Sequence, residues 1–148
     1  MKNQRGAALV EFAVVLPLLI ILLFGIIEAS WAFAQQNDVR HGTREAARLA
    51  ATNYGDVTAV AQEACARMDL VYAHATPKVT LTPKSADGTL GGLAQVEVEA
   101  GLTTLTGLLD GVFGGIDLHS VIEFRLEQPY EGEADWWNGG AGGAFTCT

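Results

Sequence analysis

Residues 7–27 read AALVEFAVVLPLLIILLFGII, a run of 21 residues that carries one charge, Glu11. A bilayer core is spanned by roughly 20 mainly apolar residues in a helix, so the run is long enough to cross. A cleaved secretory signal has a shorter apolar core of about 7–15 residues followed by a small-residue cleavage site. Here the chain continues with Glu28, Trp31 and Phe33, which favours a retained anchor. Lys2 and Arg5 precede the run with no acidic residue beside them, and such a bias holds the N-terminus in the cytoplasm. Everything beyond about residue 28 is then expected outside.

Helical character continues past the apolar run. From Ala29 to Asn53 there is no proline and one glycine, Gly42. Val39, Thr43, Ala46 and Ala50 fall on one stripe with Leu49 beside it, which predicts the buried side of an amphipathic helix. Asp38, Glu45, Arg48 and Thr52 are expected on the opposite side, with Arg40, Arg44 and Arg48 stacked at four-residue intervals and His41 beside Glu45. A single helix from about Ala7 to Asn53 would be ~70 Å long at 1.5 Å per residue, stopping at Gly55. Asp56 suits the cap of a second helix, with Val57, Val60, Ala61, Ala64 and Met68 at helical spacing and an end near Tyr72.

The period then changes to two. Val79 and Leu81 alternate with threonines between Pro77 and Pro83, and the loop SADGT follows. Ala94, Val96 and Val98 alternate with Gln95, Glu97 and Glu99. Leu118, Ile122, Phe124 and Leu126 oppose His119, Glu123, Arg125 and Glu127. These patterns predict an antiparallel sheet of about three strands with one wet face, packed on the helices. The fold class is therefore α+β. Two segments fit more than one reading: residues 101–115, GLTTLTGLLDGVFGG, suit a short helix or an apolar loop. The Gly-rich tail with Trp136 and Trp137 could cover the core, dock a partner or lie at a membrane interface, of which covering the core is preferred.

Charge and composition exclude several classes of function. With 9 basic and 17 acidic residues the chain lacks the clustered Lys and Arg that bind a phosphate backbone, so no nucleic-acid partner is expected. The three histidines show no metal-ligand spacing, and no cofactor, metal site or catalytic residue is read. Asp117, His119 and Ser120 are adjacent, but strand geometry is expected to turn His119 away from the other two. Glu97 and Glu99 share a face that solvation explains as well as a bound cation. Cys65 and Cys147 both fall in the oxidising outer compartment, where a disulfide would persist; two unpaired thiols are the other reading.

The junction RGAALVEF, residues 5–12, is the stretch that points to function. A basic leader ends in Gly6, the apolar run begins at Ala7, and a carboxylate follows at Glu11, inside the hydrocarbon zone. A central Asp or Glu costs about 2.5–3.5 kcal/mol on insertion scales. A residue near one end costs less and can snorkel to the headgroups. The other reading gives Glu11 a cationic partner: cutting the chain after Gly6 would free the α-amino group of Ala7, and that ammonium could pair with Glu11 of a neighbouring helix. Such pairing fixes the stagger between subunits more surely than it adds stability. Pro17 can kink the helix or simply be tolerated there.

The basic leader, Gly6, the glutamate five residues on and the apolar run resemble the processing signal of type IV pilins and pseudopilins. Glu11–Phe12, Pro17, the step Gly25–Ile26–Ile27–Glu28, the stretch TREAARLAA and the final strand ending in FRLE are similar more narrowly to the TadE-like family of the tight-adherence (Flp) pilus apparatus. The resemblance implies a leader of residues 1–6 removed between Gly6 and Ala7 by a prepilin peptidase, a transmembrane helix over 7–27 and an extracytoplasmic α+β domain over 28–148. It implies inner-membrane lipid and other pilin-like subunits as partners, the latter met through the N-terminal helix, with Glu11, Phe12 and Pro17 serving assembly. The implied role is a minor pilin or assembly subunit, in the inner membrane or built into an extracellular pilus. Ala7 stands where many classical type IV pilins carry an aromatic residue, and the chain is much longer than the small major Flp pilin. An uncleaved, singly anchored periplasmic binding or sensor domain is the alternative.

Overall fold

The computed structural model describes residues 4–53, 57–72, 74–84, 91–107, 110–127 and 144–147. Helix α1 runs without interruption from Gln4 to Asn53, 50 residues, with Pro17 inside it. Its first half is bare. Residues 6–23 are all exposed, and the helix is long and apolar enough to cross a membrane. Its second half is one wall of a small α+β head, as the apolar stripe predicts: Val39, Thr43, Ala46 and Ala50 are fully buried. Thr43 is accommodated there because its hydroxyl donates to the Val39 carbonyl at 2.7 Å.

Helix α2, Val57–Ala66, packs on that wall through Val60, Ala61 and Ala64. The contact is made by small residues on both sides, so the two backbones approach closely. Gly42 is the tightest point: a Cβ built there would lie 2.5 Å from Met68 Cγ and 2.9 Å from the Ala64 carbonyl oxygen. The second helix does not run on to Tyr72 as its spacing suggests. It ends at Ala66, and a separate turn, α3, follows over Asp69–Tyr72. Met68 sits fully buried in the break, and Asp38 accepts the Val71 amide at 3.0 Å. Asp38 therefore caps α3 from the flank of α1, half-buried, rather than facing water. Glu45 pairs with Arg48 at 3.0 Å rather than with His41.

The sheet has four strands, one more than expected: β1 Lys78–Pro83, β2 Leu93–Gly101, β3 Asp117–Arg125 and β4 Ala144–Thr146, in the order β3-β2-β1-β4. All pairings are antiparallel. The extra strand comes from the tail, where three residues between glycines and a cysteine carry too little alternation to be read. Val79, Leu81, Ala94, Val96, Val98 and Leu118 face the helices, as predicted. Ile122 and Phe124 are only partly covered, because β3 is an edge strand. A one-turn helix, α4, Asp110–Phe113, lies in the β2–β3 connection, so the 101–115 segment is mostly loop. The expectations for Gly55, Asp56, the SADGT loop and Trp136–Trp137 fall outside the described residues.

Cys65 and Cys147 form a disulfide with a Cα–Cα distance of 5.6 Å and a sequence separation of 82. It ties α2 to the residue after β4, whose amide also bonds the Pro77 carbonyl at 2.8 Å. On the chain-entropy account, closing a loop of that length stabilises by about 4 kcal/mol. Thermal and urea unfolding of the detergent-solubilised chain should show Cys65→Ser with Cys147→Ser losing up to that amount. Gly42→Ala should cost ~1–3 kcal/mol by overpacking. Gly25→Ala, with nothing within 4 Å of its Cβ, should leave the head unchanged.

Candidate functional site

The residues singled out at the N-terminus lie on one exposed rod. Gly6, Ala7, Glu11, Phe12 and Pro17 are all exposed, Phe12 by 56 %, and a side chain at Gly6 would meet nothing within 4 Å. Glu11 has no ion-pair or hydrogen-bond partner among the described residues. Ala7 and Glu11 are four residues apart and so share one side of the helix. The described chain does not fold back on this surface: from residue 6 to residue 23 the rod offers only apolar side chains and one carboxylate. Such a surface is satisfied by lipid or by like helices.

Where the rod enters the head, a second arrangement appears that periodicity does not reveal. Glu28 is 3 % exposed and Gln35 is fully buried. They stand seven positions apart, two turns along one face, and both grip the loop after β2. The Glu28 carboxylate accepts the Leu105 amide at 3.0 Å, the Thr106 amide at 2.8 Å and the Thr106 hydroxyl. Gln35 donates from Nε2 to the Thr103 carbonyl at 2.8 Å and accepts the Thr103 amide at 3.1 Å and hydroxyl at 2.9 Å. A loop backbone thus finds its partners on helix side chains, which satisfies groups that a buried connection would otherwise leave orphaned. The Thr106 hydroxyl and the Leu105 amide hold the Glu28 carboxyl below its ordinary value of 4.5, against a smaller opposing effect of burial. The one signal in the sequence is the position of Glu28 and Gln35 on the same face as Val39 and Ala46: a carboxylate and an amide on a core stripe need donors from elsewhere.

On the wet face of the sheet, strand pairing places His119 opposite Glu99, and His119 Nε2 lies 2.5 Å from Glu97 Oε1. The ligand atoms of Glu97, Glu99 and His119 fall within 4.8 Å of one another. Linear spacing conceals this cluster because the histidine arrives from the neighbouring strand. The expectation that His119 points away from both neighbours holds for Ser120 only; Asp117, two residues earlier on β3, shares its face. A groove beside the disulfide is lined by Thr58, Gln62, Asp69 and Phe145 among others, and Asp69 is its one charged side chain among the described residues.

A bare apolar helix continuous with a small α+β head defines the class: a head carried on a helix that fits a single-pass membrane anchor. Within that class, residues 6–48 match the family described as TadE-like protein. The match covers the exposed rod, Glu28 and Gln35, and most of the buried stripe. Over that stretch the chain is similar to TadE-like proteins, which suggests a component associated with the Tad pilus. No curated protein and no solved structure matches the chain.

The lowered Glu28 value sets a direction with pH. A carboxyl whose folded value is depressed contributes stability above its unfolded value, and that contribution is lost as pH falls through the folded value. Hydrogen exchange should therefore show the Leu105 and Thr106 amides protected above pH ~4.5 and progressively released as the pH is lowered further. Glu28→Ala should accelerate exchange at both amides by about tenfold at neutral pH, while amides of β1 stay unchanged.

Proposed function

We propose that the chain is a minor, pilin-like subunit of a Tad pilus, cut after Gly6 and assembled through helix α1. The observation that carries this reading is the exposed rod of residues 6–23 with a lone carboxylate at Glu11, found within the stretch matching TadE-like proteins. A head that left this helix free only to tether it would have no use for an acid in the apolar zone. A subunit that packs its helix among like helices does.

In this reading a prepilin peptidase removes residues 1–6 at the cytoplasmic face of the inner membrane. The freed Ala7 ammonium, with an ordinary pKa of about 7.7–8.0, is charged at neutral pH and meets Glu11 of an adjacent subunit. A charge pair in a low-dielectric helix bundle tolerates little axial slip, because removing either partner leaves a buried charge unpaired. Phe12 fills the contact beside the pair, and Pro17 sits where neighbouring helices can satisfy the backbone group it frees. The head faces the periplasm, with its disulfide formed there, and stays outside the helix bundle.

Two measurements separate this reading from an uncleaved, singly anchored sensor domain. Intact mass of the native protein should show a chain starting at Ala7, and Gly6→Ala should retain the six leader residues; a native chain beginning at Met1 supports the sensor reading instead. Glu11→Leu should insert in the membrane normally yet be depleted several-fold from sheared filaments, whereas unchanged incorporation refutes the pairing.

A further inference from the structure

Two sets of contacts lay the head against α1 in a fixed axial order. Gln36 Nε2 donates to the His119 carbonyl at 3.3 Å, and the Glu127 amide donates to the Ala51 carbonyl at 2.8 Å. Strand β3 therefore runs alongside α1, covering ~26 Å over eight strand residues against ~22 Å over fifteen helix residues. Its start points toward the apolar rod. Ile116, three residues before His119, lies ~10 Å further down at strand rise, level with about residue 29 of the helix. The Glu28 bonds to Leu105 and Thr106 set the same level independently. Both routes put Leu105, Thr106 and Ile116 at the level where the apolar run ends.

Three large apolar side chains of that connection face out. Leu105 is 53 % exposed, Val112 68 % and Ile116 45 %. It is also braced. The Leu102 amide bonds the Ile116 carbonyl at 2.9 Å, the Ile116 amide bonds Phe113 at 3.2 Å, and the Thr104 hydroxyl donates to Asp110. Gly107 and Gly115 turn the chain with positive φ values of 73° and 86°, which side-chain-bearing residues resist. Phe24, four residues before Glu28 and on the same face of the helix, is half-covered, although residues 6–23 are bare.

We propose that the β2–β3 connection is a second membrane contact, a foot whose Leu105, Val112 and Ile116 enter the outer interfacial layer of the bilayer beside the emerging helix. This rests on α1 being a membrane anchor. Lipid is the occupant because the exposed apolar side chains continue the surface of the spanning run at its own end, where the nearest apolar phase is acyl chain. Asp110, between Leu105 and Val112, and Asp117, next to Ile116, are exposed beside the apolar residues, so anionic headgroups are not favoured and the contact is hydrophobic. The foot would hold the long helix at a set depth and rotation, which a lone helix cannot fix.

The test uses the full chain in phosphatidylcholine vesicles, with an environment-sensitive fluorophore on Leu105→Cys, on Val112→Cys, or on the control Gln62→Cys, exposed on α2. Flotation after an alkaline wash reports the anchor separately from the foot. With the chain floating, emission at 105 and 112 should be blue-shifted and quenched about twofold or more by lipids bearing nitroxides near the headgroup, with no change at 62 and little response to salt. Water-like, unquenched emission at 105 and 112 in floating chains overturns the foot and leaves the anchor standing. Blue-shifted emission that lipid nitroxides cannot quench assigns the surface to another protein and overturns it too. Chains that fail to float remove the anchor and the foot together.

Discussion

Glu28 must be satisfied at the point where the apolar run of α1 ends, and two of its three donors are backbone amides. Three donors from residues 105 and 106 converge on its carboxylate, and Gln35 repeats the device at residue 103. Removing a charged group from water is costly unless donors replace the water, so the loop and the helix fix each other. The sheet follows the loop, because residues 102–116 join β2 to β3. Two turns of the helix thereby fix the β2–β3 connection on the stalk.

Continuity of α1 turns that local clamp into a long-range constraint. The same 50-residue helix offers bare apolar surface at one end and a small-residue wall at the other. A change in the rod's axial position or rotation is carried rigidly into the head, since Gly42, Ala46 and Ala50 leave α2 no room to slide and the disulfide ties α2 to the sheet. In the proposed charge-paired assembly, the head becomes a readout of that register. The chemistry is that of positioning throughout: carboxylates and amides are used to place backbone, and small residues set distances between helices.

Much of this was legible in the residues. The uninterrupted helix, the stripe of Val39, Thr43, Ala46 and Ala50, the alternating strands and the Cys65–Cys147 link each follow from short-range periodicity or compartment chemistry. What escaped was tertiary. Asp38 reads as a solvent-side acid until α3 presents an amide to it, and Met68 reads as part of a continuing helix although it is buried against Gly42 in the break between α2 and α3. Strand β4 is three residues long and exists through pairing with β1. The Glu28 and Gln35 contacts join residues 68 to 78 positions apart, which no local pattern encodes. The meeting of His119 with Glu97 likewise depends on strand register.

The boundary between the two halves of α1 is the claim on which anchor, clamp and foot all rest. Single cysteines placed along exposed positions of the helix, at Val15, Leu19, Leu22, Ile26, Ser30, Phe33 and Asn37, probe it directly, since the described cysteines are disulfide-bonded and leave no competing thiol. With the full chain in sealed vesicles, a membrane-impermeant thiol reagent should label from Ser30 onward and spare Val15 to Ile26. Labelling that extends evenly down to Val15, or that fails even at Asn37, would contradict the account.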